Sequence, residues 1–143
     1  MSRNLISISI RNLNIAAYLF CAMEALLDTN FIISCMKEKI DFMSQLEQQG
    51  FTVVLPREVF QELKDLKMKV SHRDREAVSV ALTLFASKRV KKMTLGKNSV
   101  DKGLIMKGKQ GYYIATLDAS IRNMIPRRII ISRASKTITV INS

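Results

Sequence analysis

The sequence has 143 residues, 48% of them hydrophobic, with only two prolines and five glycines, so it predicts one folded domain and excludes a disordered chain. The formal net charge of +11 indicates a polyanionic partner, either nucleic acid or an acidic membrane surface. Cys21 and Cys35 lack CxxC spacing and His72 is the single histidine, which excludes a disulfide framework and a metal site built from several histidines or cysteines. The two cysteines are expected to be small buried residues in a reducing, cytoplasmic compartment.

The first 22 residues allow three interpretations, and the predicted domain spans residues 23–143. An apolar run from Ile15 to Met23 follows two arginines, as in a signal sequence. Isoleucines that alternate with serines from Ile6 to Ile10 suit an added edge strand. In the third interpretation Met23 is the natural start and residues 1–22 are an extension. No stretch is long enough to span a bilayer, so stable membrane insertion is not expected.

The first half of the domain alternates short β-prone runs with longer helical patterns. Pro56 suits the first turn of a helix, and Gly50 suits a helix end. The predicted elements are a strand at 25–27, a helix at 31–49, a strand at 51–55 and a helix at 57–70.

The second half continues the alternation. Ser99 is a favoured helix cap, Asp118 or Ser120 can start a short helix, and Pro126 stops it. The predicted elements are a helix at 73–93, a helix at 100–107, a strand at 112–116, the short helix after it, and strands at 128–132 and 137–141. Strands that alternate with helices predict an α/β fold, here a three-layer α/β/α sandwich with a mainly parallel sheet.

Four carboxylates occupy positions that such a fold brings toward one crevice. Asp28 and Asp118 directly follow predicted strands, and ligands of open α/β sheets bind outside the carboxyl ends of the strands. Glu62 lies at the edge of the buried stripe of its helix, whereas Glu58 and Asp65 lie further toward solvent. Asp101 stands in the first turn of its helix.

Each of these acids also has an ordinary structural role. Asp28 and Asp118 are good helix caps, Asp101 suits a helix N-terminus, and Glu62 can pair with a lysine on a helix surface. The four together carry the prediction. Clustered carboxylates repel one another, and hard cations such as Mg²⁺ or Mn²⁺ relieve that repulsion through oxygen ligands.

The chain resembles the PIN-domain nucleases. The resemblance rests on four motifs in order, LLDTN, PREVFQEL, NSVDKGLI and YYIATLDAS, and covers roughly residues 25–141. It implies a PIN-like sandwich fold and four acidic site residues, which correspond here to Asp28, Glu62, Asp101 and Asp118. Leu117 occupies a position where the fourth motif of the family often has another residue, and its side chain is not a ligand.

The resemblance also implies a chemistry and its supporting residues. The four acids would bind Mg²⁺ or Mn²⁺ for hydrolysis of RNA phosphodiester bonds. Asn30 and Thr116 match positions that shape the acidic site. The basic residues that flank the third and fourth acids would contact RNA phosphates, and they are Lys102, Lys107, Lys109 and Arg122.

Two further functions stay open beside a cytoplasmic endoribonuclease of the RNA-processing or toxin type. One is a non-catalytic RNA-binding scaffold with a PIN fold. The other is a structure-specific DNA nuclease, for which the chain has few acids and little room for helical insertions. The partners that the resemblance implies are RNA, a second copy in a homodimer, and an antitoxin or a ribosome-assembly protein.

Overall fold

A computed structural model describes residues 23–87 and 90–142. Its strands are β1 (Glu24–Leu27), β2 (Thr52–Pro56), β3 (Lys91–Met93), β4 (Tyr113–Ala115), β5 (Arg127–Ser132) and β6 (Thr137–Asn142). Its helices are α1 (Thr29–Lys37), α2 (Phe42–Gln48), α3 (Arg57–Lys69), α4 (His72–Ala86), α5 (Val100–Lys109) and α6 (Ala119–Arg122). The predictions for residues 1–22, including Cys21, fall outside the described residues.

The described strands form one sheet in the order β3-β2-β1-β4-β5-β6. The first five strands of this order pair in parallel, and β6 pairs antiparallel with β5. This arrangement confirms the predicted α/β/α sandwich with a mainly parallel sheet. The central strands β1 and β4 therefore end side by side, and the loops that follow them share one edge of the sheet.

Two hydrophobic clusters cover the two faces of the sheet. Ala25 and Leu27 of β1 belong to the larger cluster, to which α1 to α4 contribute. Leu26 points to the opposite face and joins the smaller cluster with Leu104 of α5 and Ile121 of α6. Side chains of a strand alternate between faces, so β1 with its four buried residues is anchored from both sides.

The predicted helix over 31–49 was wrong as a single element, because the chain breaks between α1 and α2. Lys39 adopts a positive φ of 56°, and the Ile40 amide reaches back to the Cys35 carbonyl at 2.8 Å. Asp41 then caps α2 by accepting from the Ser44 amide. Ile40 stays buried through the break, so the apolar periodicity continues where the helix does not.

The predicted helix over 73–93 was also wrong at its end, because α4 stops at Ala86 and Lys91–Met93 forms the edge strand β3. Val90, which falls within the predicted helix, is buried but directly precedes the strand. The exposed edge of β2 supplies parallel hydrogen-bond partners to Lys91–Met93. That tertiary pairing overrides the weak strand propensity of two lysines.

The predicted helix caps and the predicted burial of Cys35 agree with the structure. Ser99 caps α5 by accepting from the Lys102 amide, and Asp118 caps α6. His72 is the first residue of α4 and is exposed. Cys35 is a buried free thiol, and burial raises its pKa to about 12. No helix among the described residues is both long and apolar enough to cross a bilayer.

A glycine fixes α5 close to the loop after β3. A Cβ atom at Gly103 would lie 2.7 Å from Cβ of Leu95, which is buried. Replacing glycine by alanine within a helix normally stabilises it by about 1 kcal/mol. We expect the opposite sign for Gly103→Ala, a loss of about 1–3 kcal/mol in the free energy of unfolding, because overpacking must displace Leu95 or α5.

Denaturant unfolding measures this effect, with Lys102→Ala as the matched control on the exposed side of the same helix. The control should change stability by less than about 0.5 kcal/mol. A Gly103→Ala variant more stable than the wild type would contradict the close packing.

Candidate active site

The carboxyl ends of β1 and β4 open into a cleft of about 470 Å³. All four predicted acids line it, although they come from segments far apart in the sequence. The lining residues are Asp28, Thr29, Asn30, Glu62, Asp65, Leu66, Lys69, Val100, Asp101 and Asp118.

Asp28 is the most deeply held acid of the cleft, with 6% of its surface exposed. Its Oδ1 accepts from the Thr29 amide at 2.8 Å, which caps α1, and its Oδ2 accepts from the Thr116 hydroxyl at 2.7 Å. Burial raises the pKa of Asp28 above its ordinary value; these two hydrogen bonds oppose the rise, and the charges of Asp101 and Glu62 add to it. Asp28 is thus a helix cap whose carboxylate also feels the other acids.

Thr116 connects two of the acids through one hydroxyl group. It is fully buried, donates to Asp28, and accepts from the Asp118 amide at 3.1 Å. A hydroxyl has a single proton, so the donation to Asp28 fixes the direction of the Thr116 side chain. The residue predicted to shape the site therefore lies between the first and fourth acids.

Thr29 holds Glu62 in a similar way, and sequence reasoning missed it. Its hydroxyl donates to Oε2 of Glu62 at 2.5 Å, and Thr29 itself is buried. Glu62 is half-buried on α3, so this contact directs its carboxylate toward the end of β1. The available signal was the polar Thr29 between Asp28 and Asn30, at a position where a buried threonine needs an acceptor.

Asp118 and Asp101 are more accessible than Asp28. Asp118 accepts from the hydroxyl of Ser120 at 2.7 Å and from its amide at 2.9 Å, and these bonds lower the pKa of Asp118. Asp101 is exposed in the first turn of α5. Asn30, predicted to shape the site, is exposed at the rim of the cleft.

The donor chemistry of the cleft suits a hard divalent cation. Every acidic side chain that lines it offers oxygen ligands, the kind that Mg²⁺ and Mn²⁺ prefer. Within residues 23–87 and 90–142, however, no three Asp, Glu, His or Cys side chains lie close enough together to hold one ion. The residues fit such an ion in charge and donor type, and sharing one requires the more exposed carboxylates to approach Asp28.

Two charged residues of α3 line the cleft in addition to the predicted ones. Asp65 and Lys69 follow Glu62 by one and two helical turns, so they share its side of the helix. The helical spacing predicted that Asp65 faces solvent, and Asp65 is exposed. The spacing did not predict that Asp65 also lines the cleft. Lys69 is the single basic side chain among the described residues that line the cleft, and it forms no salt bridge within the described chain.

The four basic residues predicted to bind RNA lie outside the lining of the cleft. Lys102 and Lys109 are exposed on α5. The Lys107 ammonium lies 5.5 Å from the centre of the Tyr112 ring. Arg122 is half-buried, and its charge contributes, after the Ser120 hydrogen bonds, to the lowered pKa of Asp118.

Glu58 has a structural role that the sequence did not indicate. It was expected to face solvent, but its carboxylate accepts from the Leu95 amide at 2.9 Å and from the Thr94 hydroxyl at 2.7 Å. These bonds tie the N-terminal turn of α3 to the loop that leads toward α5. The two helices that border the cleft are therefore linked through this loop.

A family model described as a PIN like domain matches residues 25–132. The chain belongs to the PIN-like domain family. Domains of this kind are generally nucleases. The match includes all four acids and all strands from β1 to β5 apart from the first residue of β1.

Eleven chains of solved structures match the PIN-like domain. One is the structure of the PIN domain endonuclease Utp24, with a TM-score of 0.66, 22% sequence identity, and coverage of 82% of this chain and 90% of that one. At this identity the likeness concerns the fold. A search of curated proteins found no match.

The raised pKa of Asp28 predicts a pH dependence of stability in the metal-free PIN-like domain. The folded state binds the Asp28 proton more readily than the unfolded chain does, so stability decreases as the pH rises from about 3.9, the ordinary value for aspartate, through the higher folded value. Asp28→Asn removes this titration. In EDTA, the Tm of Asp28→Asn relative to wild type should therefore increase as the pH rises through that window and level off above it.

Asp118→Asn is the control with the opposite sign. The pKa of Asp118 is lowered, so its ionised form stabilises the fold at pH values above the ordinary aspartate range, and the variant should lose Tm relative to wild type there. Thermal unfolding in EDTA at several pH values checks both variants. A pH-independent difference for Asp28→Asn would contradict the desolvated state of its carboxylate.

Proposed function

We propose that this PIN-like domain is a metal-dependent endoribonuclease that hydrolyses RNA phosphodiester bonds with Mg²⁺ or Mn²⁺ at Asp28, Glu62, Asp101 and Asp118. One observation carries the proposal. Four carboxylates from four separate segments line a single cleft of a fold whose members are generally nucleases. The endonuclease named in the matched structure supports cleavage within a strand.

The four acids of the cleft differ in how many hydrogen bonds hold their carboxylates in place. Asp28 is fixed through both oxygens, and Glu62 through one. Asp118 is held through Oδ1 alone, by Ser120, and Asp101 is exposed, so Oδ2 of Asp118 and the Asp101 carboxylate can adjust when substrate and ion enter. When bound, a divalent cation lowers the pKa of water and stabilises charge on the phosphate. Asp28 and Glu62 then provide a fixed reference for the position of the scissile phosphate.

Binding of RNA would use the basic charge around this acidic site. Lys69 stands on the cleft without a salt bridge to its carboxylates, so its ammonium can contact a phosphate next to the cleavage position. Lys102, Lys107, Lys109 and Arg122 would contact phosphates further along the strand. Such contacts set salt-dependent affinity and not sequence preference.

One specific observation favours a second function, an RNA-binding PIN-like domain without catalysis. The carboxylates line one cleft, yet no three of the described acidic, histidine or cysteine side chains are close enough together to coordinate one ion. The biological role in RNA processing or as a toxin, the homodimer and the cytoplasmic location stay predictions. An antitoxin reading frame next to the gene would identify the toxin role.

The cleavage experiment separates the two functions. Purified protein is incubated with labelled single-stranded RNA and, in parallel, single-stranded DNA, in Mn²⁺, Mg²⁺ or EDTA. We expect internal cleavage of RNA that requires metal and that falls at least about a hundredfold in Asp28→Asn, because this variant removes a central ionised ligand. Binding of RNA without cleavage in either metal would establish the non-catalytic function instead.

Thr29 offers a finer test of the same site. Thr29→Val keeps the shape of the side chain but removes the donor to Glu62, and a hydrogen bond to a charged group is worth about 1.5–3 kcal/mol. We expect the single-turnover rate at saturating Mn²⁺ to fall roughly tenfold or more. Thr29→Ser, which keeps the hydroxyl, should restore most of the rate, and equal losses in both variants would contradict a role for the hydroxyl.

A further inference from the structure

We propose that the outer side of α3 and the edge strand β3 form a second RNA-binding surface, which holds the part of the strand that flanks the cleavage position. This proposal rests on the proposed function, because the RNA that binds this surface is the RNA that the active-site cleft would cleave. The α3–β3 surface consists of Arg57, Phe60, Lys64, Lys67 and Lys92.

Helical geometry separates this surface from the cleft. At about 100° per residue, positions 57, 60, 64 and 67 fall on one side of α3, whereas Glu62, Asp65 and Lys69 fall on the side that lines the cleft. The three basic residues of the outer side are exposed, and Phe60 is half-buried. One helix therefore presents Glu62, Asp65 and Lys69 to the cleft and its other three cations away from it.

The Phe60 ring gathers cations from two elements of the fold. The Lys64 ammonium lies 4.5 Å from the ring centre and the Lys92 ammonium, from β3, lies 5.4 Å from it. None of Lys64, Lys67 and Lys92 forms a salt bridge with the described residues. Cations held on one ring without a counter-charge create a positive potential that a polyanion would neutralise.

Protection of a sheet edge explains only part of this arrangement. Lysines on an edge strand such as β3 prevent pairing with another chain, which accounts for Lys92 by itself. It does not account for Lys64 and Lys67, which belong to a helix and not to the edge. RNA is favoured over an acidic protein because α3 is about 20 Å long and its other side lines the cleft, so one strand can contact both sides.

The test measures RNA binding without cleavage. Fluorescence anisotropy in EDTA follows binding of labelled oligouridylates of roughly 5 and roughly 20 nucleotides, lengths within and beyond the reach of one small binding site. For the variant Lys64→Gln/Lys67→Gln/Lys92→Gln, we expect Kd for the long RNA to rise about tenfold and Kd for the short one to change less than about twofold. The slope of log affinity against log salt should fall by about 2.

Two further variants make the result specific. Phe60→Leu keeps an apolar side chain but removes the ring that gathers the lysines, and it should weaken binding of the long RNA about threefold with Tm unchanged within a few degrees. The control variant Lys37→Gln/Arg73→Gln/Arg133→Gln removes the same charge from α1, α4 and the β5–β6 turn. It should leave the difference between long and short RNA intact.

The outcomes distinguish this proposal from the proposed function. Equal loss in both triple variants, or no loss in the first, would overturn the α3–β3 surface even if Mn²⁺-dependent cleavage is found. Loss of polyglutamate binding without loss of RNA binding would assign the surface to an acidic protein and also overturn it. Selective loss of long-RNA binding in a protein that does not cleave RNA would support the surface and refute the nuclease.

Discussion

The junction between β1 and β4 depends on the buried carboxylate of Asp28. Its amide extends the strand pairing by donating to the Ala115 carbonyl at 2.9 Å. Its two carboxylate oxygens accept from the start of α1 and from Thr116 at the end of β4. One residue thus joins two central strands and a helix, and Thr29 and Thr116 connect Glu62 and Asp118 to the same junction.

Holding this carboxylate in place has an energetic cost. A carboxylate with 6% exposure loses most of its hydration, and its two short hydrogen bonds compensate only in part, since its pKa stays raised. Nearby negative charge adds to the penalty. Buried carboxylates that carry such a desolvation penalty are typical of functional sites, because a ligand that neutralises the charge recovers the lost stability. The local chemistry therefore agrees with the family in favouring a cation there.

Helix α3 gives the domain its charge separation. Glu62, Asp65 and Lys69 border the cleft, and the apolar residues Val59 and Leu63 are fully buried. The other cations of α3 lie on its outer side with Phe60, where the Lys64 ammonium is 4.5 Å from the ring centre. Glu58 fixes the helix to the loop after β3, so the cleft and the α3–β3 surface keep one relative position. Within α3, the outer cations are thereby kept apart from the acids of the cleft.

The sequence by itself determined the alternation of strands and helices, the helix caps at Ser99 and Asp118, and the four acids that line one cleft. The alternation and the caps follow from local chemistry, and Asp28 and Asp118 follow from the rule that parallel strands end at one edge. Glu62 and Asp101 follow from their positions on their helices and from the family resemblance. The sequence did not determine the break at Lys39, where the apolar period continues while the backbone turns. It also misassigned Lys91–Met93, because strand pairing depends on the open edge of β2, a partner remote in sequence.

The sequence also did not determine three contacts of the site and its surroundings. These are the hydrogen bond from Thr29 to Glu62, the hydrogen bonds that Glu58 accepts, and the contacts of two lysines with the Phe60 ring. Each joins residues at least four positions apart, and most join different elements. Only the tertiary structure decided them, because hydrogen bonds and ring contacts require distances that residue types and spacing do not contain.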